Sequence, residues 1–191
     1  MAIKKAATAA FICAMFAVVS PAGAAGLSYS YADAGYQRTN GDPVDLDGGL
    51  IDASFGVFDY VALRAGLLRA KTDGFSGDTP DLTEFRAGAR GHYTIVKNLD
   101  VFGDVLGFNA KLNGNRTTST DIGIIYEAGV RYLIHKRFEA NASFKRVGGG
   151  LNKDFGTVGA VFKMTKAFSL SGRAELNSDV KNYFAGIRFN F

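Results

Sequence analysis

Residues 82–94 read LTEFRAGARGHYT, and their character alternates along the stretch. Thr83, Phe85, Ala87, Ala89, Gly91 and Tyr93 fall on one face, while Glu84, Arg86, Gly88, Arg90 and His92 fall on the other. A period of two marks a strand whose faces meet different surroundings. The pattern returns at 121–133, where Ile122, Ile124, Tyr126, Ala128, Val130 and Tyr132 oppose Glu127, Gly129 and Arg131. It returns at 138–146, 168–176 and 182–191, with Glu139, Lys145, Arg173, Glu175 and Arg188 on the polar faces. Less regular stretches at 27–38, 48–58, 60–71, 99–111 and 154–164 fill the gaps, and in 99–111 both faces are mixed. The reading is all-β, with ten strands of about 10–12 residues, the length a tilted strand needs to cross a bilayer. Eight strands is the alternative if two of the weaker stretches fail.

The connections alternate as well. Those at 58–60, 94–98, 134–137 and 165–167 are short, whereas 39–47, 72–81, 112–120 and 148–153 are longer and rich in Gly, Asp, Asn and Thr. The short link at 178–180 is the exception. Short and long ends in rotation mean that each strand pairs with its sequence neighbour, up and down. An even strand count puts both ends of the sheet on the short-turn side, which faces the periplasm in an outer-membrane barrel.

The first residues read as a delivery label. Lys4 and Lys5 precede an apolar run at 9–19, and Ala22-Gly23-Ala24 supplies a small-residue cleavage site. Residues 1–24 are therefore expected to be a signal peptide, with a barrel domain at 25–191. The sole cysteine, Cys13, lies in that segment, so Cys catalysis, disulfides and Cys-bound zinc are not expected of the remainder. Net charge is +4, and setting aside the two lysines leaves about +2, too scattered for nucleic acid.

Alternation alone does not say which face is inside. Three features favour apolar residues outward and charge inward. First, the polar face gathers opposite charges: Arg64, Glu84, Arg86, Arg90, Glu127, Arg131, Glu139, Arg173, Glu175 and Arg188. These can pair across a narrow lumen, expected to have a backbone radius of about 10 Å and to be plugged or nearly so. Second, aromatics collect at strand ends. Phe58, Tyr60, Tyr93, Tyr132, Phe138, Phe162, Phe168, Phe189 and Phe191 lie near short turns, and Tyr36, Phe85, Phe108, Phe144, Phe155 and Tyr183 near long loops. Two such bands resemble interfacial girdles. Third, the sequence ends on Phe191 in an alternating segment. The expected fold is a closed antiparallel up-and-down transmembrane β-barrel.

Two segments then carry a resemblance. YFAGIRFNF at 183–191 resembles the carboxy-terminal signal of outer-membrane barrels, which implies recognition by the barrel-assembly machinery through Tyr183, Ile187, Phe189 and Phe191. GLSYSYADAGY at 26–36, with the signal peptide and the overall length, resembles small gammaproteobacterial barrels of the diffusible-signal-regulated, vesicle-associated outer-membrane protein family of xanthomonads. That resemblance implies a Gram-negative outer-membrane location, association with vesicles, and no agreed biochemical activity.

Catalytic signals are sparse. The two histidines are His92, on a polar face near a short turn, and His135, in the basic turn His135-Lys136-Arg137. His92 reads as a lumen hydrogen-bonding residue and His135 as solvated. No G-x-S-x-G, H-E-x-x-H or phosphate-binding glycine loop occurs. Asp42, Asp45 and Asp47, and then Asp73, Asp78 and Asp81, make the long loops acidic but lack calcium-loop spacing, so a solvated surface is expected. The expectation is therefore no enzyme, no cofactor and no metal. The expected partners are outer-membrane lipid, lipopolysaccharide and the assembly machinery, with surface loops for envelope or cell-surface interactions. A narrow solute channel and a lipid-modifying enzyme are the alternatives.

Overall fold

In a bilayer nothing but the chain itself can satisfy a strand's backbone groups, so a spanning sheet must close. The computed structural model, which describes residues 27–41, 45–72, 80–114, 118–150 and 152–191, shows that closure. Its strands are β1 (Tyr31–Gly41), β2 (Leu46–Phe58), β3 (Val61–Thr72), β4 (Asp81–Val96), β5 (Leu99–Asn113), β6 (Thr118–His135), β7 (Phe138–Val147), β8 (Lys153–Lys163), β9 (Phe168–Leu176) and β10 (Val180–Asn190). Each pairs antiparallel with its sequence neighbour, and β1 pairs with β10 from Tyr31↔Asn190 to Gly41↔Val180. The expected signal peptide, together with Asp42, Asp73 and Asp78, lies outside the described residues.

The short turns are tight. Asp59-Tyr60, Lys97-Asn98 and Lys136-Arg137 are two-residue connections, each preceded by a register shift, at Gly56/Phe58, Thr94/Val96 and Leu133/His135. Asn98 adopts φ +76°, a left-handed conformation that Asn tolerates because its short polar side chain can bond locally. The turn carbonyls continue the ladder to the next hairpin: Tyr60 accepts from His92 N at 2.9 Å, Asn98 from Leu133 N at 2.8 Å and Arg137 from Lys163 N at 2.8 Å. The rim thus stays hydrogen-bonded from one hairpin to the next.

The faces settle the orientation. Ile124, Leu170 and Ile187 are 45%, 49% and 53% exposed on the outside, whereas Arg90 and Glu175 are 5% and 8% exposed within. Along β6 the outward residues run Ile122, Ile124, Tyr126, Ala128, Val130, Tyr132 and Ile134, all exposed. That run spans about 40 Å of strand, or about 30 Å along the membrane normal at the usual tilt, which matches a hydrocarbon core. β4, β5 and β6 are 16, 15 and 18 residues long, so this wall projects past the apolar band at the loop end. There its outward residues turn polar: Thr83, Asn109, Lys111, Asn113 and Thr120.

Two expectations are corrected. The first strand does not begin at residue 27. It begins at Tyr31, opposite Asn190, and residues 27–30 leave the sheet for the barrel interior, with Leu27, Tyr29 and Ser30 buried. The Ser30 carbonyl still accepts from Phe191 N at 3.2 Å and its hydroxyl from Gly56 N at 3.2 Å, and the interior is where the apolar side chains of Leu27 and Tyr29 are covered. The loop-end girdle also loses two members. Phe108 and Phe155 point inward, packing with Leu106, Ile125 and Val147, while a second cluster joins Leu50, Leu68, Ala70 and Phe184. Tyr36, Phe85, Phe144 and Tyr183 remain on the outer surface. The interior is therefore layered, apolar near the long loops and ionic below.

Candidate functional site: an ionic lumen

Inward positions recur every second residue, so each strand delivers its charges to the axis at fixed heights. Asp104 of β5 is at the centre. Both of its carboxylate oxygens accept from Arg90 of β4, at 2.7 Å each, and it also accepts from Arg64 of β3. Arg64 bridges onward to Asp52 of β2 at 3.0 Å and approaches Glu127 of β6 at 3.6 Å. Arg86 donates to the other oxygen of Asp52 at 2.7 Å and lies 3.9 Å from Glu84. Glu127 in turn accepts from the Ser143 hydroxyl at 2.6 Å. One continuous network thus ties β2 to β7.

Three further groups complete the ring. Arg188 of β10 makes a two-pronged contact with Asp33 of β1, at 2.9 and 2.8 Å, and Ser171 donates to the same carboxylate at 3.0 Å. This fork sits on the seam where the barrel closes. Glu175 of β9 accepts from Lys145 and from Asn182 at 3.1 Å, with Arg173 at 3.3 Å. Arg131 of β6 donates to Glu139 of β7 at 2.7 Å. Several cations also cover aromatic rings: Arg188 over Tyr31 at 3.8 Å, Arg90 over Phe102 at 4.1 Å, Arg131 over Tyr29 at 4.5 Å and Arg173 over Phe184 at 5.4 Å. Desolvated cations gain from such contacts because the ring face is negative.

The short-turn mouth is occupied by residues 27–30. Tyr29, 1% exposed, stacks flat on His92 with ring centroids 3.5 Å apart. Its hydroxyl donates to Asp100 at 2.9 Å, and Asp100 also accepts from the Thr94 hydroxyl at 2.7 Å. Arg131 donates to the Ser28 carbonyl at 3.2 Å, so the same guanidinium holds the segment and Glu139. Burial raises the Tyr29 phenol above the ordinary tyrosine range, against Arg131 and with Asp100 adding to the rise. The phenol therefore stays a hydrogen-bond donor at neutral pH. Between the ion pairs lies a cavity of about 50 Å³, lined by residues including Tyr31, Asp33, Arg64, Glu127, Thr157 and Arg173. That is room for a few waters at most. Arg64 Nε and the Thr157 hydroxyl, buried with no protein partner, are polar groups such waters would satisfy.

All ten charged residues singled out from the sequence (Arg64, Glu84, Arg86, Arg90, Glu127, Arg131, Glu139, Arg173, Glu175, Arg188) point into the barrel. The set held six arginines and four glutamates, and that cation excess was itself a signal of missing acids. The missing partners are aspartates, Asp33, Asp52 and Asp104, each from a strand of weaker alternation. Tyr183 and Ile187 face outward on β10, while Phe189 packs at 5.3 Å from Phe168 and 5.9 Å from Phe191. Phe191 reaches Phe55 of β2 at 6.4 Å. His135 is exposed at its turn, with Nδ1 accepting weakly from Arg137 N at 3.4 Å. Of the loop acids, Asp45 and Asp47 sit 3.4 and 4.0 Å from Arg38. Among the described residues no group of three potential metal ligands occurs.

No protein-family model matches the chain, and no curated protein matches it. Solved structures do. The translocator domain of the autotransporter NalP from Neisseria meningitidis aligns at TM-score 0.53 and 12% identity, over 98% of this chain and 98% of that one. The NanC porin aligns at TM-score 0.52 and 10% identity, over 84% of this chain and 100% of that one. The KdgM porin in complex with disordered oligogalacturonate gives TM-score 0.48 and 14% identity, over 83% and 99%. At such identities the likeness extends to the fold alone: this chain is a closed ten-stranded antiparallel barrel, with the fold of small outer-membrane β-barrels.

Proposed function

We propose that this protein is a non-conducting, non-enzymatic barrel of the Gram-negative outer membrane that acts through its outer surface and long loops. The observation that carries this reading is the lumen: ion pairs, an apolar layer and residues 27–30 crowd it, and the cavity between the ion pairs measures about 50 Å³. A barrel without a conduit has two surfaces left for work, its lipid-facing wall and its loop end. The projecting polar wall of β4–β6 supports the second. The residues that join long-loop strands, and lipopolysaccharide packed around them, are the expected contact region. Association with membrane vesicles, implied by the family resemblance, belongs to the same reading.

Two measurements test it together. Purified barrel in planar bilayers gives conductance at background, and protease added to whole cells cuts within 39–47 or 72–81. Defined conductance steps would overturn the closed lumen in favour of the narrow-channel alternative. Lipid A whose mass changes when the gene is deleted would overturn the non-enzymatic reading.

A further inference from the structure

Three adjacent short turns carry the same charge. Lys97 lies in the β4–β5 turn, Lys136 and Arg137 in the β6–β7 turn, and Lys166 in the β8–β9 turn, all exposed. The fourth short turn, β2–β3, bears the single acidic tip, Asp59. In the lumen the arginines described above each face a carboxylate, but these four rim cations are ion-paired to none among the described residues. The strands explain the arrangement. Alternate hairpin ends come together on one rim, so turns some 30–40 positions apart in sequence become neighbours around half the circumference.

Directly beneath this arc, toward the apolar band, lie Tyr93, Ile95, Tyr132, Ile134, Phe138, and Phe168, all exposed and outward. An aromatic and aliphatic layer capped by unpaired cations matches a lipid in both of its parts. The rings sit at the headgroup boundary and the cations at the height of the phosphates. A zwitterionic headgroup supplies no net charge for this arc, and a soluble acidic partner would not use the greasy tier below it.

We propose that the arc Lys97–Lys136–Arg137–Lys166 is a docking surface for an anionic phospholipid in the leaflet that faces the short turns. This rests on the membrane-barrel reading above and adds a lipid preference to it. Each rim cation contributes about a fivefold preference for an anionic over a zwitterionic headgroup.

The test uses the full barrel in nanodiscs containing equal phosphatidylglycerol and phosphatidylcholine, with retained lipids read by native mass spectrometry. Wild type retains phosphatidylglycerol in excess. Replacing Lys97, Lys136, Arg137 and Lys166 by Gln abolishes that excess, and 0.5 M salt added before release reduces it. Replacing Arg69 and Lys111 by Gln, at the opposite end, leaves it in place. Equal retention of the two lipids by wild type, or an undiminished excess in the fourfold variant, overturns the proposal. Heat-modifiable migration of each variant in pure phosphatidylcholine reports on the barrel itself, so a failed lipid preference is distinguished from a failed barrel.

Discussion

Replacing Asp104 by Asn removes one charge and almost no volume, and it strikes the centre of the lumen network. The Asp104 side chain is fully shielded and accepts two 2.7 Å bonds from Arg90 as well as one from Arg64. In the variant one carboxylate oxygen becomes an NH2 facing a guanidinium. Arg64 keeps Asp52 at 3.0 Å, but no other carboxylate is paired with Arg90 among the described residues. Breaking a buried pair from one side costs about 3–5 kcal/mol, because the remaining charge stays desolvated. With a guanidinium dependence of about 4 kcal/mol per molar, the unfolding midpoint falls by about 1 M. Strand-band circular dichroism in detergent micelles, checked by heat-modifiable gel migration, reads that shift. Asp154→Asn is the control: its partner Arg146 lies 3.7 Å away and the side chains are 58% and 49% exposed, so the change stays within about 1 kcal/mol. Adding Arg90→Met to Asp104→Asn should recover part of the loss, since the stranded cation goes with it. If Asp104→Asn moves the midpoint by less than about 0.2 M, the lumen is hydrated well enough to screen its charges, and the dry-network account is wrong.

Val105→Arg places a charge on the outer wall, where Val105 is 55% exposed at mid-strand; a lipid-facing site loses about 2–4 kcal/mol in folding titrations into vesicles, and an unchanged value would mean that water covers this wall. Tyr29→Phe removes the donor to Asp100 but keeps the stack on His92, so it lowers stability by about 1.5–3 kcal/mol, whereas Tyr29→Ala also forfeits the buried ring and lowers it by about 3–5 kcal/mol; equal melting of all three proteins would show that residues 27–30 do not occupy the mouth. Deleting Phe191 removes its contacts with Phe55 and Phe189 and an aromatic of the segment that resembles an assembly signal; if that resemblance holds, outer-membrane fractions contain severalfold less heat-modifiable barrel, and an unchanged yield would detach this residue from assembly.

Alternation made much of this protein legible from its residues. A period of two is set by the backbone itself, so Glu84, Arg86 and Arg90 share a face whatever else the chain does. The ten strands follow from it, as do the tight turns at Asp59-Tyr60 and Lys97-Asn98 and the charged side of each wall. Asp52 could have been found by the same rule, being in phase between Ile51 and Ala53. What alternation does not carry is height and partnership. Arg188 meets Asp33 across 155 positions because β1 and β10 close the sheet in one register, and that register is a property of the whole cylinder. For the same reason Phe108 and Phe155 looked like girdle residues by position along their strands, yet mixed neighbours hid their phase, and only the closed barrel turned them inward. Residues 27–30 continue the strand pattern in sequence, but beyond Ser30, whose carbonyl accepts from Phe191 N at 3.2 Å, the segment turns inward, with Tyr29 stacked on His92 and the Ser28 carbonyl held by Arg131. Local stereochemistry thus fixed which residues face together, while the closure of ten walls around one axis decided which of them touch.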